Sequence, residues 1–310
     1  MLKSIVALFV LNSQICRILA ASFTRLSSPL YMKGHASCRS SNGVRINGKQ
    51  IIFIRHGCTH MNEYLSQEGC RWGDSNFTDV FPDDQMDFYR DSTLSSLGKK
   101  QAKLLCKTLS SENWRTVLEN VELVVVSPLT RALQTLEIGF APLISRAVLN
   151  NKSLRQKDEV DSSSSKLSSE VSFLAHPLAA ERCYLVSDLG SETTKLSKNF
   201  PFVDFSSEFE GKVDMWWFSP DEETSNYNEW RPSGQGQIYA CPGEPDIIFN
   251  NRMVKLYDWL DSRPELTISL VCHWGVLQWF TGRDFQNCEV EKIHFDELNR
   301  EGFMKRDEEA

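Results

Sequence analysis

For its first 62 residues this chain contains neither aspartate nor glutamate, although all 310 residues together hold 41 acids. In a chain this rich in acids that absence is hard to attribute to chance, and most of the acid-free stretch precedes the folded domain. Cysteine occurs nine times, but in no CxxC pair and well below the density of a disulfide scaffold. That argues against structural zinc and against a small cross-linked fold. Cations are outnumbered as well. The formal charge is −7, so nucleic acid is not an expected partner, and any anion site must be a local concentration of basic side chains.

The part of the acid-free region before Lys49 divides in two. Residues 1–22 begin with Lys3, continue through an apolar stretch from Ile5 to Leu11 and end in the small residues Ala20, Ala21 and Ser22, which is the layout of a secretory signal. The apolar stretch is too short and interrupted to span a bilayer, so no stable membrane insertion is expected after processing. Residues 23–48 are basic and serine-rich, like an organelle transit peptide or a disordered arm. Signal followed by transit-like segment, with Phe23 at the junction, resembles a bipartite plastid presequence. The competing expectation is secretion, or retention in an endomembrane lumen.

From about Gly48 onward strand-like and helix-like runs alternate. "QIIFI" (50–54), "LVVVS" (123–127) and "ISLVCH" (268–273) suit strands buried on both faces. Helical patterns start at Leu97, Leu129 and Ile247, the last two with apolar residues at helix spacing. The expected class is α/β, with a mainly parallel central sheet flanked by helices on both faces, in a domain over 49–300. A serine-rich insertion near 151–171, a long loop over 219–246 and a charged tail over 301–310 interrupt or end it.

Functional side chains follow each apolar run directly: Arg55-His56-Gly57 after the first, Arg131 one turn beyond the second, His273 after the third. Parallel strands end on one edge, where sites of such sheets gather. Two guanidiniums and two imidazoles meeting there with no carboxylate among them repel one another unless an anion joins them. A phosphate dianion fits, because planar guanidinium forks match its oxygens. "CTHMNE" continues the first motif and places Thr59 and Asn62 in the next turn as further phosphate donors, and Ser95 or Ser96 starts the helix after it.

With these motifs in order, the chain resembles the histidine phosphatase superfamily, which includes phosphoglycerate mutase-like proteins. "RHGCTHMN", "DSTLSSLGKKQA", "SPLTRALQT", "HPLAAERCYLVSDLGS" and "VCHWG" carry the likeness from about Gln50 to Phe280. It implies that His56 is the nucleophile, with one ring nitrogen held by a backbone carbonyl and with cations keeping it neutral. Arg55, Arg131 and His273 would hold the phosphoryl oxygens, and Glu181 would act as acid and then base. Neither metal nor cofactor is implied. The activity implied is phosphomonoester hydrolysis through a phosphohistidine, on a small phosphorylated metabolite or a phosphoprotein.

Two alternatives stand beside it: a mutase, and a phospho-ligand binder without turnover. "ERCYLV" departs from the mutases' Glu-Arg-His-Tyr-Gly by placing Cys183 and Leu185 where they have His and Gly, which favours a phosphatase. Glu170 and Glu192 flank Glu181 as rival acids, and His176 reads as a turn-fixing residue before Pro177. Trp216, Trp217 and Trp230 read as packing, and Trp274 as packing under the sheet edge. Cys58, Cys183 and Cys272, close to the proposed site, read as small apolar residues, with oxidative pairing as the alternative.

Overall fold

The computed structural model describes residues 48–71, 74, 77–155, 171–209, 214–220, 239–240 and 243–303. All of them lie in the unit Ile46–Ala310. The presequence readings, the serine-rich insertion over 156–170, most of the long loop with Trp230 and Arg231, and the tail from 304 fall outside the described residues.

Among the described residues five strands form one sheet in the order β3-β2-β4-β1-β5. They are β1 (Gln50–Arg55), β2 (Leu123–Val126), β3 (Ser172–Ala175), β4 (Thr267–Cys272) and β5 (Val290–His294). All pair in parallel except β5, which runs antiparallel to β1 at the edge. The α/β, mainly parallel class expected from the alternation is what the chain adopts. β2 and the central Ile51 to Ile54 of β1 are unbroken apolar runs, and β4 is apolar between its ends apart from buried Ser269, because helices cover both faces; Ile51 to Ile54 and Val124 to Val126 are fully buried.

Two apolar layers sandwich the sheet. Ile52, Ile54, Val124 and Val126 face α3 (Ser96–Leu109), α5 (Thr130–Gly139) and α6 (Ala141–Arg155). Ile51, Phe53, Val125, Ile268 and Leu270 face α8 (Asp246–Ser262) and α9 (Trp274–Thr281). Alternate residues of one strand therefore serve opposite layers, as the pleat requires. Shorter helices complete the unit: α1 (His60–Leu65), α2 (Asp83–Tyr89), α4 (Glu112–Glu119) and α7 (Thr193–Asn199). Among the described residues no single helix is long and apolar enough to cross a membrane.

The three helices anticipated at Leu97, Leu129 and Ile247 are α3, α5 and α8. Ser95 caps α3, its hydroxyl accepting from the Gly98 N–H at 3.3 Å. Trp216 is buried in the first apolar layer and donates its indole N–H to Ser191 O. Trp274 differs from expectation. It is partly exposed, opens α9 and donates to Asp284, because the helix begins directly after His273 and turns this ring outward.

Candidate active site

Register brings the strand ends together. Arg55 pairs with Cys272 and Val126 with both Val271 and Ala175, so His56, Ser127, His176 and His273 follow on one edge. The His56 ring places Nδ1 2.7 Å from Gly57 O. A carbonyl only accepts, so Nδ1 carries the hydrogen and Nε2 keeps its lone pair. Burial first, then the charges of Arg131 and Arg55, hold this imidazole well below its ordinary pKa, against a smaller opposing effect of the Gly57 hydrogen bond. His56 is thus neutral.

The loop carrying it is held by backbone contact. A Cβ at Gly57 would lie 2.9 Å from Gly98 O, and one at Gly98 would lie 1.9 Å from Cys58 O. Glycine ends "RHG" and opens α3 because the two segments touch main chain to main chain. Thr135 accepts from the Gly57 N–H and Gln101 from that of Cys58. Behind the loop, Asn287 Nδ2 donates to His56 O at 3.0 Å and Cys288 N to Arg55 O at 3.0 Å. Arg55 Nη1 donates to Phe285 O at 2.6 Å. These contacts arise because β5, antiparallel to β1, begins where β1 ends. Arg55 Nε is buried with no hydrogen-bond partner.

The His273 ring centroid lies 5.0 Å from that of His56, within reach of one tetrahedral anion. Arg131, in the first turn of α5, donates Nε to His273 Nδ1 at 3.3 Å, Nη1 to Ser187 O at 2.6 Å and Nη2 to Asp188 Oδ1 at 2.8 Å. Since Nδ1 of His273 accepts, its Nε2 holds the hydrogen and reaches Ser127 Oγ at 2.6 Å. Burial, then Arg131 and His56, hold His273 well below its ordinary pKa. The helix start that presents Arg131 is clasped by Asp91, which accepts from both the N–H and the hydroxyl of Thr130.

Glu181 follows β3 across a short 3₁₀ turn at Pro177–Ala179. His176 fixes that turn, its Nδ1 accepting from Leu178 N at 3.1 Å. The Glu181 carboxylate accepts from Arg182 N at 2.9 Å and from Gly275 N at 3.2 Å. A Cβ at Gly275 would come 2.4 Å from Glu181 Oε1, so glycine after "HW" leaves room for the acid. Glu181 is partly exposed, yet its surroundings desolvate the carboxyl, and Asp188 adds like charge. Together they raise its pKa to about 7 against the attraction of Arg131 and the two backbone N–H groups. Of the rival acids, Glu192 is exposed at the start of α7 and Glu170 lies outside the described residues.

The structure therefore brings Arg55, His56, Arg131, Glu181 and His273 to one edge. Thr59 and Asn62 are adjacent, but in a reciprocal capping box at the start of α1. Thr59 Oγ1 accepts from Asn62 N and Asn62 Oδ1 from Thr59 N. Their hydroxyl and amide hydrogens remain as donors.

One expectation needs correcting. The cluster does contain a carboxylate, because buried Asp188 pairs with Arg131 and also accepts from Tyr184 N and Leu185 N. One of the two guanidiniums is already neutralised within the protein. Asp188, Ser127 and Asn287 were missed. The first two stand inside motifs already singled out, whereas Asn287 has no signal in the sequence, since only the antiparallel edge strand delivers it. Cys58, Cys183 and Cys272 are buried. Burial, then the Glu181 charge, pushes the Cys272 thiol well up. Among the described residues no group of three or more His, Cys, Asp or Glu is arranged to hold a metal ion.

Residues 51–143 match the family model described as histidine phosphatase superfamily (branch 1). The chain is 25% identical over 292 residues to phosphoglycerate mutase-like protein 2 of Arabidopsis thaliana, covering 83% of this chain and 77% of that one. Among solved structures it is similar to the ecdysone phosphate phosphatase of Bombyx mori (13% identity, 84% and 96% covered, TM-score 0.40). Others are a mycobacterial glucosyl-3-phosphoglycerate phosphatase (16%, 79% and 92%, 0.36) and a phosphoglycerate mutase of Thermus thermophilus (16%, 79% and 92%, 0.35).

Proposed function

From membership of the histidine phosphatase superfamily, we propose that this chain is a phosphomonoesterase that works through a phosphohistidine on His56, with no metal in the reaction. The observation that carries the reading is the His56 ring, tied at Nδ1 to Gly57 O and facing His273 across 5.0 Å. Nε2 attacks phosphorus and the P–O bond to the leaving group breaks. Glu181, protonated up to about pH 7, gives its proton to the departing oxygen. Water then yields a proton to the Glu181 carboxylate as it attacks the phosphohistidine, the P–N bond breaks, and the electron pair returns to Nε2.

Arg55 and Arg131 hold the phosphoryl oxygens and stabilise their growing charge. His273 has both ring nitrogens engaged, by Arg131 and Ser127, so a phosphoryl oxygen replaces one of these contacts. The arriving anion also favours the charged form of the imidazole. Thr59 and Asn62 lend their remaining hydrogens at the rim. The substrate is a small phosphorylated metabolite or a phosphoprotein, since every group assembled at this edge addresses the phosphoryl group or the oxygen that leaves it.

The test is rapid acid- or alkali-quench of protein mixed with a ³²P-labelled aryl phosphate. An alkali-stable, acid-labile label that is lost in His56→Ala is expected, together with release of inorganic phosphate. Interconversion of phosphoglycerates primed by a bisphosphate, with little phosphate release, would identify a mutase instead. Binding without label or turnover would leave only a phospho-ligand binder.

A further inference from the structure

The segment 176–190 carries the acid but contains no α-helix or strand, only short 3₁₀ turns. Its backbone groups therefore need partners from elsewhere. One side chain supplies several. Arg252, on α8, donates Nη1 to Leu178 O at 2.9 Å and to Ala180 O at 2.8 Å, and Nη2 to Glu181 O at 3.2 Å. Its Nε and Nη2 also grip Glu244 at 2.9 and 2.7 Å. Glu244 is buried and closes the clamp from the other side, accepting from Cys183 N at 3.0 Å and donating its own N–H to Cys183 O at 2.8 Å. One ion pair thus holds the main chain on both sides of residue 181. The tip of that side chain is held separately by Arg182 N and Gly275 N.

We propose that Arg252, locked by Glu244, is the positioning residue for the proton donor: it sets the backbone from which Glu181 reaches the leaving oxygen. The inference rests on the phosphatase reading and adds a residue that never touches substrate. A guanidinium is needed because five donor contacts radiate from one planar group. Lysine keeps the charge beside Glu244 but has one nitrogen for all of them.

Proton donation matters in proportion to how poor the leaving group is, which separates positioning from general support. Single-turnover phosphorylation of His56 is followed with two substrates: an alkyl phosphate, whose oxygen must be protonated to leave, and 2,4-dinitrophenyl phosphate, which departs as an anion. For Arg252→Lys the alkyl phosphate rate should fall about 100-fold, the cost of misplacing a catalytic group by roughly 1 Å. The dinitrophenyl rate should stay within about a factor of two, since it asks nothing of the acid. Glu181→Gln sets the reference for this split.

Glu244→Gln, which spares the Cys183 contact, should show the same split and carries the test if Arg252→Lys does not fold by thermal denaturation. Equal losses on both substrates, or none on either, in a folded variant would overturn the assignment. A wild-type protein inactive even toward dinitrophenyl phosphate would overturn the phosphatase reading itself, and that control is measured first.

Discussion

Arg55 and Arg252 are both largely shielded arginines within the same sheet-edge region, and they are provided for in opposite ways. Arg252 makes five hydrogen bonds, to three carbonyls and both oxygens of Glu244. Burial alone would lower its pKa, but the Glu244 carboxylate raises it on balance. Arg55 gives one nitrogen to Phe285 O and leaves Nε buried without a partner, and burial lowers its pKa. A cation surrounded by acceptors is structural. One desolvated and left short of acceptors is poised for an anion from outside.

That contrast predicts opposite consequences, beginning with the strongest. His56→Ala removes the group both readings depend on, and aryl phosphate hydrolysis should drop by about 10⁴-fold or more, checked by phosphate release. Arg55→Met should cost about 10²- to 10³-fold in kcat/KM while moving urea stability by no more than about 1 kcal/mol, since an under-paired charge gives way to an apolar chain. Arg252→Met should do the reverse in stability, losing about 3–5 kcal/mol because Glu244 is left buried and alone. If the two variants lost stability alike, the distinction would be wrong.

The acid can be tested in the same terms. Gly275→Ala should lower kcat on alkyl phosphates by about tenfold to 100-fold with little change in thermal midpoint, because the added methyl meets Glu181 Oε1. The folded protein holds the Glu181 proton up to about pH 7 against an ordinary value of 4.5. Its contribution to stability is fully present below 4.5 and lost as pH rises through 7. Relative to Glu181→Gln, the wild type should therefore lose about 3 kcal/mol between these limits, measured by urea melts at both ends. The acid's loss of its proton should also turn down phosphorylation above pH 7, and raise the capacity for water activation. Asp188→Asn should move that turn to lower pH, since it removes like charge and frees the Arg131 guanidinium to act on Glu181.

Much of the architecture was legible. Unbroken apolar runs can persist only where both faces are covered, so β1, β2 and β4 and the parallel arrangement followed from local composition. β5 did not, because "VEKIH" is mixed in character and among the described residues it pairs only with β1. The basic and imidazole side chains at the strand ends were legible for the same reason as the strands. The supporting groups were not: Asn287 is 231 residues from His56 and Arg252 is 71 from Glu181.

The amino-acid sequence by itself determined which strands end in arginine and histidine and where those side chains stand, because burial and turn formation are properties of short segments. Only the tertiary structure decided how those groups are charged and aimed: that His56 offers Nε2, that Arg131 is matched by Asp188, and that Glu181 holds its proton near neutrality. Those states follow from desolvation and from partners contributed by distant segments, and both exist only once the chain has closed around them.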